Sequence, residues 1–320
     1  MDAQRNNFAV IGAGMAGLTC ATELQAAGYN VNVFDKGRGP GGRMAARRAE
    51  VEGETISFDH GAQYFIATTD AFANQIAEWA AAGVVAAWPA ASEAAWVGIP
   101  GMNGPICSMG LQADVNWGTR VERVERDAEN WLLHTAGGTH KAEAVIVAVP
   151  AEQAKDLLHD TAPKLAAIPA QVESDPCWAL MAAFEARLDI EQDCLREPSD
   201  AIAWAARNSA KPERGGRETW TIHASADWSR EHLELSPDEA GTLILDEFFA
   251  AAGAAPRTPI HLAAHRWRYA RPKARSTEPA VWDPDQLIGL CGDYLVSPNV
   301  EGAWISGRAL ARKMIAGDKG

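Results

Sequence analysis

Three glycines near the start of the sequence have the spacing of a dinucleotide-binding turn. Gly12, Gly14 and Gly17 spell GxGxxG directly after the apolar run at 8–11. This spacing lets backbone N–H groups and a helix N-terminus approach a pyrophosphate. Asp35 follows about 20 residues later, at the end of the next apolar run, where a carboxylate can accept both hydroxyl groups of an adenosine ribose. The pattern predicts a site for NAD or FAD.

The segment after Asp35 separates these two cofactors. Residues 35–44, DKGRGPGGRM, combine several glycines with three cationic side chains. Such a loop suits a long diphosphate, whereas a dehydrogenase would usually continue into its next βαβ unit here. The sequence therefore favours FAD. Noncovalent binding is expected, because no cysteine or histidine stands at a position suited to a covalent linkage.

Four segments of the sequence together carry a family resemblance: VIGAGMAGL, DKGRGPGGRMAARR, FDHGAQYF and CGDYLVSPNVEGAWISG. They resemble the renalases, FAD-dependent oxidoreductases of the amine oxidase superfamily. The resemblance covers both ends of the chain, recurs at Trp267-Arg268 and is weak elsewhere in the middle. The set of FAD-binding residues that it implies is Gly12, Ala13, Gly14, Met15, Ala16, Gly17, Asp35, Lys36, Gly42, Arg43, Met44, His60, Gly61, Ala62, Gln63, Tyr64, Val121, Gly292, Asp293, Gly302 and Ala303.

The same resemblance implies roles for five of these residues. Arg43 would contact the diphosphate or the flavin, and Gln63 and Tyr64 would border the isoalloxazine ring. The backbone of Val121 would meet the adenine. Asp293, in the terminal Gly-Asp signature, would meet the ribityl and diphosphate region.

The start of the last predicted helix has a physical role that does not depend on the resemblance. Gly302 and Ala303 open the helix predicted for 302–316. Reduction places negative charge on the N1 and C2=O edge of a flavin. A helix N-terminus at that edge would stabilise the charge by about 0.3–2 kcal/mol.

Motifs that the sequence lacks narrow the reaction. It has no second GxGxxG between a strand and a helix, which disfavours a separate NADPH domain, and no close cysteine pair for disulfide reduction. It also offers no recognisable Ser-His-Asp, Cys-His or paired-carboxylate arrangement. These features predict an oxidase that takes electrons from its substrate and passes them to molecular oxygen.

The renalase resemblance implies the identity of that substrate. It would be a 2- or 6-dihydro isomer of NAD(P)H, oxidised to NAD(P)+ by hydride transfer to flavin N5, with oxygen reoxidising the flavin to give hydrogen peroxide. The lone pair on the dihydropyridine nitrogen drives hydride departure, so the protein needs no catalytic base. No catalytic side chain is therefore assigned.

Two other functions remain open at this point. An amine oxidase or a carotenoid-type desaturase would use the same FAD frame, although the acidic balance and the lack of an apolar surface helix disfavour a lipid substrate. A non-catalytic, flavin-binding redox sensor is the third hypothesis. It predicts a flavin that no substrate bleaches.

Aromatic and basic residues on the predicted middle strands are candidates for the substrate wall. Packing in the core is the more ordinary role for most of the twelve tryptophans. An arginine at 266 or 268 is available for a substrate phosphate. The candidate substrate-binding residues are Trp204, Trp220, His223, Trp267 and Arg268.

Apolar runs place this chemistry on a βαβ frame. A run at 8–11, helix formers at 15–27 and a second run at 31–35 predict a strand, a helix and a parallel strand. Buried runs at 143–149 and 287–291 predict two further strands of the same sheet. Both ends of the chain would therefore build the cofactor domain.

The region between these ends has a different pattern. The sequence predicts an antiparallel meander at 119–135, then a series of antiparallel strands with one helix opened by a capping box at 236–239. The predicted fold class is α/β plus α+β: a Rossmann-type, glutathione-reductase-like FAD-binding domain with an inserted antiparallel-sheet substrate domain of amine-oxidase type. The predicted boundaries are 1–70, 105–160 and 285–320 for the FAD-binding domain, and 71–104 and 161–284 for the substrate-binding domain.

The composition of the chain limits the classes of partner that the protein can bind. The 320 residues suffice for about two domains, and the net charge of −13 argues against nucleic acid or anionic membranes as partners. Five scattered cysteines without a CxxC pair fit a reducing compartment, and no apolar stretch is long enough to span a membrane. We therefore expect a cytoplasmic protein whose partners are a nicotinamide nucleotide isomer and molecular oxygen.

Overall fold

The computed structural model describes residues 7–273, 276 and 278–317. Within these residues, none of the helices is long and apolar enough to cross a membrane. The strands are β1 Asn7–Ile11, β2 Asn30–Asp35, β3 Ala46–Val51, β4 Glu54–Asp59, β5 Val85–Ala87, β6 Trp96–Gly98, β7 Asp114–Trp117, β8 Val121–Asp127, β9 Asn130–Thr135, β10 Gly138–Ala142, β11 Ala144–Val147, β12 Ser174–Phe184, β13 Cys194–Arg196, β14 Ile202–Arg207, β15 Glu218–Ala224, β16 His261–Pro272, β17 Val281–Asp283 and β18 Ile288–Leu290. The helices are α1 Met15–Ala26, α2 Asp70–Ala81, α3 Gly104–Gln112, α4 Ala151–Leu158, α5 Pro163–Ala166, α6 Ala226–Glu231, α7 Pro237–Ala252 and α8 Val300–Gly317.

The main sheet has the order β17-β18-β11-β1-β2-β7. All its pairings are parallel except that of the edge strand β17. Strands β1 and β11 are almost wholly buried, because helices and neighbouring layers cover both faces of a parallel sheet. The predicted Rossmann-type sheet built from both chain ends is confirmed, since β18 lies directly beside β11.

Helices α1 and α8 pack closely against each other. A Cβ atom at Gly307 would lie 2.1 Å from the carbonyl oxygen of Ala16, so only a glycine permits this approach. The helix near the end of the chain is thereby fixed to the helix that follows the glycine turn.

The second large sheet is antiparallel, with the order β13-β14-β15-β12-β16. Helix α7 packs on one face, where Trp220 meets Phe248 at a ring-centroid distance of 5.1 Å. The predicted capping box forms between Ser236 and Glu239. This sheet is the inserted antiparallel layer that the sequence predicted.

Several short elements escaped the sequence prediction. Strand β7 extends the main sheet beyond β2, but its four residues, DVNW, contain no apolar run. Strand β10 pairs with β9 and has four exposed residues among its five, so its hydrophobic pattern carries no signal. After β9 the chain turns at Gly137 and Gly138 and forms β10 before it reaches β11.

One segment of the predicted domain division packs against elements of the other predicted domain. Residues 71–104 were assigned to the substrate-binding domain, but α2 packs in the apolar core that α1 and α8 share. Phe72 meets Trp304 of α8 at a centroid distance of 5.2 Å. The amphipathic face of α2 needed a partner, and the C-terminal helix supplies it. The other boundaries remain predictions.

Candidate active site

A cavity of about 580 Å³ lies between the two large sheets. One wall comes from loops at the carboxyl ends of β1, β11 and β18, the edge at which open α/β sheets bind ligands. The opposite wall comes from the antiparallel sheet. Of the residues predicted to bind cofactor or substrate, those that line this cavity are Gly14, Met15, Ala16, Arg43, Met44, Gly61, Ala62, Gln63, Tyr64, Trp204, His223, Trp267, Gly292, Asp293 and Ala303.

The three motif glycines have different roles in the turn before α1. A Cβ atom at Gly17 would lie 1.9 Å from the carbonyl oxygen of Gly12, and one at Gly12 would lie 2.6 Å from that of Ala148. These two glycines therefore allow close backbone packing. A Cβ atom at Gly14 would meet no protein atom within 4 Å, because this residue faces the cavity.

Asp35 ends β2 beside the same turn. Its carboxylate accepts hydrogen bonds from the backbone N–H groups of Ala13 at 2.7 Å and Gly37 at 2.6 Å. Each carboxylate oxygen keeps a further lone pair that a ribose hydroxyl can use. Asp35, Lys36 and Val121 do not line the cavity, and neither do Gly12, Ala13, Gly17, Gly42, His60 or Gly302.

An ion pair between Arg43 and Asp293 connects the N-terminal and C-terminal segments of the chain at the cavity wall. The guanidinium donates to both carboxylate oxygens, from Nη1 at 2.8 Å and from Nη2 at 2.6 Å. Asp293 is 5% exposed, whereas Arg43 is partly open to solvent. The remaining N–H groups of Arg43 are available to an anionic ligand.

Glu301, in the first turn of α8, was not predicted from the sequence. Its carboxylate accepts four hydrogen bonds, from the backbone N–H and the hydroxyl of both Thr68 and Thr69, at 2.6–2.9 Å. Burial opposes ionisation, but these donors together hold the pKa of Glu301 below its ordinary value. The contacts fix α8 to the loop before α2. An acidic residue in the first turn of a helix was the available signal.

Two histidines, His223 in the cavity wall and His60 next in sequence to the lining residue Gly61, are held in the neutral form. Burial first, and then the charges of neighbouring His265 and Arg47, lower the pKa of His60 to about 3. Burial and then the charge of Lys211 lower the pKa of His223 to about 4. These imidazoles therefore contribute no positive charge to the cavity near neutral pH.

The lowered pKa of His223 predicts how the stability of the fold depends on pH. Between its ordinary value of 6.5 and about 4, the unfolded chain binds a proton that the folded chain does not. Stability should therefore fall as pH decreases through this window, by up to about 1.4 kcal/mol per pH unit from this residue. In urea unfolding across this window, His223→Gln should show a shallower decline than the wild type. Equal slopes would contradict this assignment.

Two residues predicted to contact the substrate lie away from the cavity. Trp220 is fully buried in the core beneath α7, and Arg268 pairs with Glu234 outside the cavity. Side chains alternate between the faces of a strand, so Trp220 and His223, three positions apart, face opposite sides. For the same reason Arg268 points away from its neighbour Trp267.

The cavity wall also contains residues that the sequence analysis did not select. Asp175, Cys177 and Arg271 line it. Asp175 is ion paired with Arg230 and Lys273. Arg271 has no ion pair in the described part of the chain. Only the register between β12 and β16 brings these residues together, so no local pattern indicated them.

A buried ionic cluster behind this wall was missed as well. Asp59 ends β4, and its Oδ2 accepts from Lys211 Nζ at 3.1 Å and from Arg214 Nη2 at 2.8 Å. Burial opposes ionisation of Asp59, but the two cations hold its pKa below the ordinary value. The partners lie about 150 residues apart in sequence, a separation that no motif search covers.

The residues around the cavity fit FAD. The glycine turn is open at Gly14, where a diphosphate can approach the backbone and the N-terminus of α1. Asp35 can receive the ribose, and Arg43 has donors left for the diphosphate. The first turn of α8 reaches the cavity through Glu301 and Ala303. Fold and site together define an FAD-binding oxidoreductase.

Comparisons with known proteins identify the family. A sequence-family model of the flavin-containing amine oxidoreductases matches residues 91–315, and one of NAD(P)-binding Rossmann-like domains matches residues 10–78. The chain belongs to the flavin-containing amine oxidoreductase family, and its cofactor is FAD.

Solved structures share the fold over nearly the whole chain. A protein assigned as a protoporphyrinogen oxidase, from an Exiguobacterium species, matches with a TM-score of 0.77 and 11% identity over 98% of this chain and 99% of that chain. Cyclohexylamine oxidase from Brevibacterium oxydans matches with a TM-score of 0.63 and 13% identity over 99% and 100% of the two chains. Wild-type putrescine oxidase bound to putrescine matches with a TM-score of 0.61 and 14% identity over 98% and 99%.

Proposed function

We propose that this protein is a renalase-like oxidase of dihydronicotinamide nucleotides. It converts a 2- or 6-dihydro isomer of NAD(P)H, one oxygen molecule and one proton into NAD(P)+ and hydrogen peroxide. FAD, when bound, supplies the two-electron oxidation and the transfer of electrons to oxygen. The polypeptide binds and orients the substrate.

The observation that carries this proposal is the state of the carboxylates around the cavity. Among the described lining residues, Asp293 pairs with Arg43, and Asp175 pairs with Arg230 and Lys273. The third carboxylate, Glu301, accepts four hydrogen bonds from the Thr68–Thr69 loop. An ammonium substrate would therefore find only carboxylates that already accept from other protein groups, whereas an uncharged dihydropyridine ring needs no carboxylate.

The aromatic wall supports the same choice. Tyr64 and Trp204 face the cavity with ring centroids 5.5 Å apart. The guanidinium of Arg196 lies 5.2 Å from the Tyr64 ring centroid and 4.7 Å from that of Trp204. The positive charge of Arg196 beside these rings disfavours the approach of a second cation to them. These rings can still pack against a neutral planar ring.

Arg271 replaces Arg268 as the proposed group for a substrate phosphate. It lines the cavity and has no ion pair among the described residues, so its donors are available to an anion. We do not assign a catalytic base, because the nitrogen lone pair of the dihydropyridine drives hydride departure. Trp204, His223 and Trp267 are the proposed uncharged walls that orient the ring.

Anaerobic titration of the purified protein tests this function. The 2- and 6-dihydro isomers of NADH and NADPH should rapidly bleach the visible flavin band, while ordinary NADH, benzylamine and putrescine should not. The isomeric dihydronicotinamide ribosides, which lack phosphate, should require higher concentrations than the nucleotides. After readmission of air, the isomers should yield one hydrogen peroxide per molecule oxidised.

Amine oxidation is the second candidate, because the family model and two structural relatives carry that activity in their names. Bleaching by amines alone would replace our proposal with this one. A flavin that none of these compounds bleaches would instead support a redox sensor.

A further inference from the structure

The ionic cluster of Asp59, Lys211 and Arg214 carries a net positive charge in the protein interior. Each of the three residues is at most 7% exposed. Asp59 is the only carboxylate in the described chain that is ion paired with either cation. One carboxylate against two cations leaves one positive charge uncompensated, a costly arrangement inside a protein.

Burial lowers the pKa of Lys211, whereas the adjacent Asp59 carboxylate opposes this shift and favours the charged form. The surrounding structure supplies further contacts to the two cations. Lys211 Nζ lies 5.1 Å from the ring centroid of Trp88. Arg214 donates to the carbonyl oxygen of Pro212 at 2.8 Å. The backbone N–H of Met102 donates to the second oxygen of Asp59 at 2.8 Å, so both carboxylate oxygens accept hydrogen bonds.

Lys211 connects the cluster to the cavity wall through Gln63. Its Nζ donates to Gln63 Oε1 at 3.0 Å, and the Gln63 amide donates to the carbonyl oxygens of Asp59 and Gly61 at 2.5 Å and 3.0 Å. All polar atoms of this side chain are therefore fixed. Gln63 and its neighbours from Gly61 to Tyr64 line the cavity.

The charge of Lys211 also affects a second residue of the cavity wall, His223. The positive charge of Lys211 contributes to the lowered pKa of His223, which belongs to β15 of the antiparallel sheet. A low-dielectric interior screens charges weakly, so the charge of Lys211 reaches groups at the cavity wall with which it makes no hydrogen bond.

We propose that the Asp59–Lys211–Arg214 cluster is an electrostatic device that raises the reduction potential of the bound FAD, with Lys211 as the residue that couples it to the cavity wall. FAD gains negative charge on two-electron reduction, and a fixed positive charge behind the wall favours the reduced form. This inference depends on FAD binding and not on the identity of the substrate.

The midpoint potential of the holoprotein tests the proposal. It can be measured by anaerobic reduction with xanthine and xanthine oxidase in the presence of a reference dye, without any physiological substrate. Lys211→Met lowers the net charge of the cluster to zero, so the potential should become more negative. Arg214→Met lowers the net charge of the cluster by the same amount. Arg214 makes no hydrogen bond to Gln63, so this variant changes the charge and leaves the Lys211–Gln63 contact in place. It should shift the potential in the same direction.

Two further variants separate charge from structure. The double variant K211M/D59N again leaves one positive charge, on Arg214, and its potential should return toward that of the wild type. Arg217→Gln removes a cation that pairs with Glu52 and Glu54 at the surface, and it should leave the potential unchanged.

The measured potentials of these variants either support or overturn the proposal. The proposal is overturned if K211M has the wild-type potential, or if the double variant is as negative as K211M. If K211M does not retain FAD, R214M decides alone: an unchanged potential overturns the proposal, and a negative shift beyond that of R217Q supports it. Bleaching by dihydronicotinamides or amines has no bearing on any of these results.

Discussion

Replacing Asp59 with alanine should destabilise the fold by about 3–5 kcal/mol, because it leaves Lys211 and Arg214 buried without a counter-charge. Urea unfolding of the wild type and the variant, with FAD in excess, measures the difference. The expected loss exceeds that of an ordinary surface ion pair, since all three groups are withdrawn from water.

A matched control is available on the same hairpin. Glu54→Ala removes the exposed partner of Arg217 and should cost less than about 1 kcal/mol. The variant K211M/D59N should be more stable than the sum of its two single variants predicts, because it removes both members of one ion pair. A loss for D59A no larger than that for E54A would show that the cluster is not the buried charge network described above.

The second large effect concerns cofactor retention. Gly14→Val should give a folded protein that has lost most of its FAD, with at least about tenfold weaker binding, or ~1.4 kcal/mol. Gly14 has φ −84°, which any residue can adopt, and its Cβ would point into open cavity space where the diphosphate is expected. Absorbance of the purified protein gives the FAD-to-protein ratio, and circular dichroism reports the fold.

Gly17→Ala should impair folding itself, whereas Gly14→Val should impair only FAD binding. Its Cβ would collide with the carbonyl oxygen of Gly12, so the turn itself cannot close and the yield of folded protein should drop. Gly137→Val, in an exposed turn, is the control that should leave both FAD content and folding unchanged. Normal FAD content in G14V would refute the assignment of this turn to the diphosphate.

The residues around the cofactor could be predicted from the sequence because the patterns that indicate them are local. The GxGxxG turn and Asp35 lie on consecutive elements, and buried parallel strands such as β1 and β11 are continuous apolar runs. Hydrophobic pattern and motif spacing suffice to place such residues at one edge of a sheet.

The residues on the substrate side of the cavity were harder to predict, because their positions depend on strand register and on partners that are distant in sequence. Trp220 and Arg268 were chosen by residue type, and the alternation of side chains along β15 and β16 turns both away from the cavity. The link from Asp59 to Lys211 arises only when the loop after β14 folds onto the end of β4. No periodicity in either segment encodes that contact.

The position of β18 and α8 has a consequence for biosynthesis. β18 is an inner strand of the parallel sheet, and Asp293 and Glu301 follow it near the end of the described chain. A ribosome therefore releases the nucleotide-binding turn long before the strand and helix that complete its surroundings. We expect the cofactor to enter only after β18 and α8 have emerged, and the unfinished sheet, with a missing inner strand, to need protection by chaperones until then.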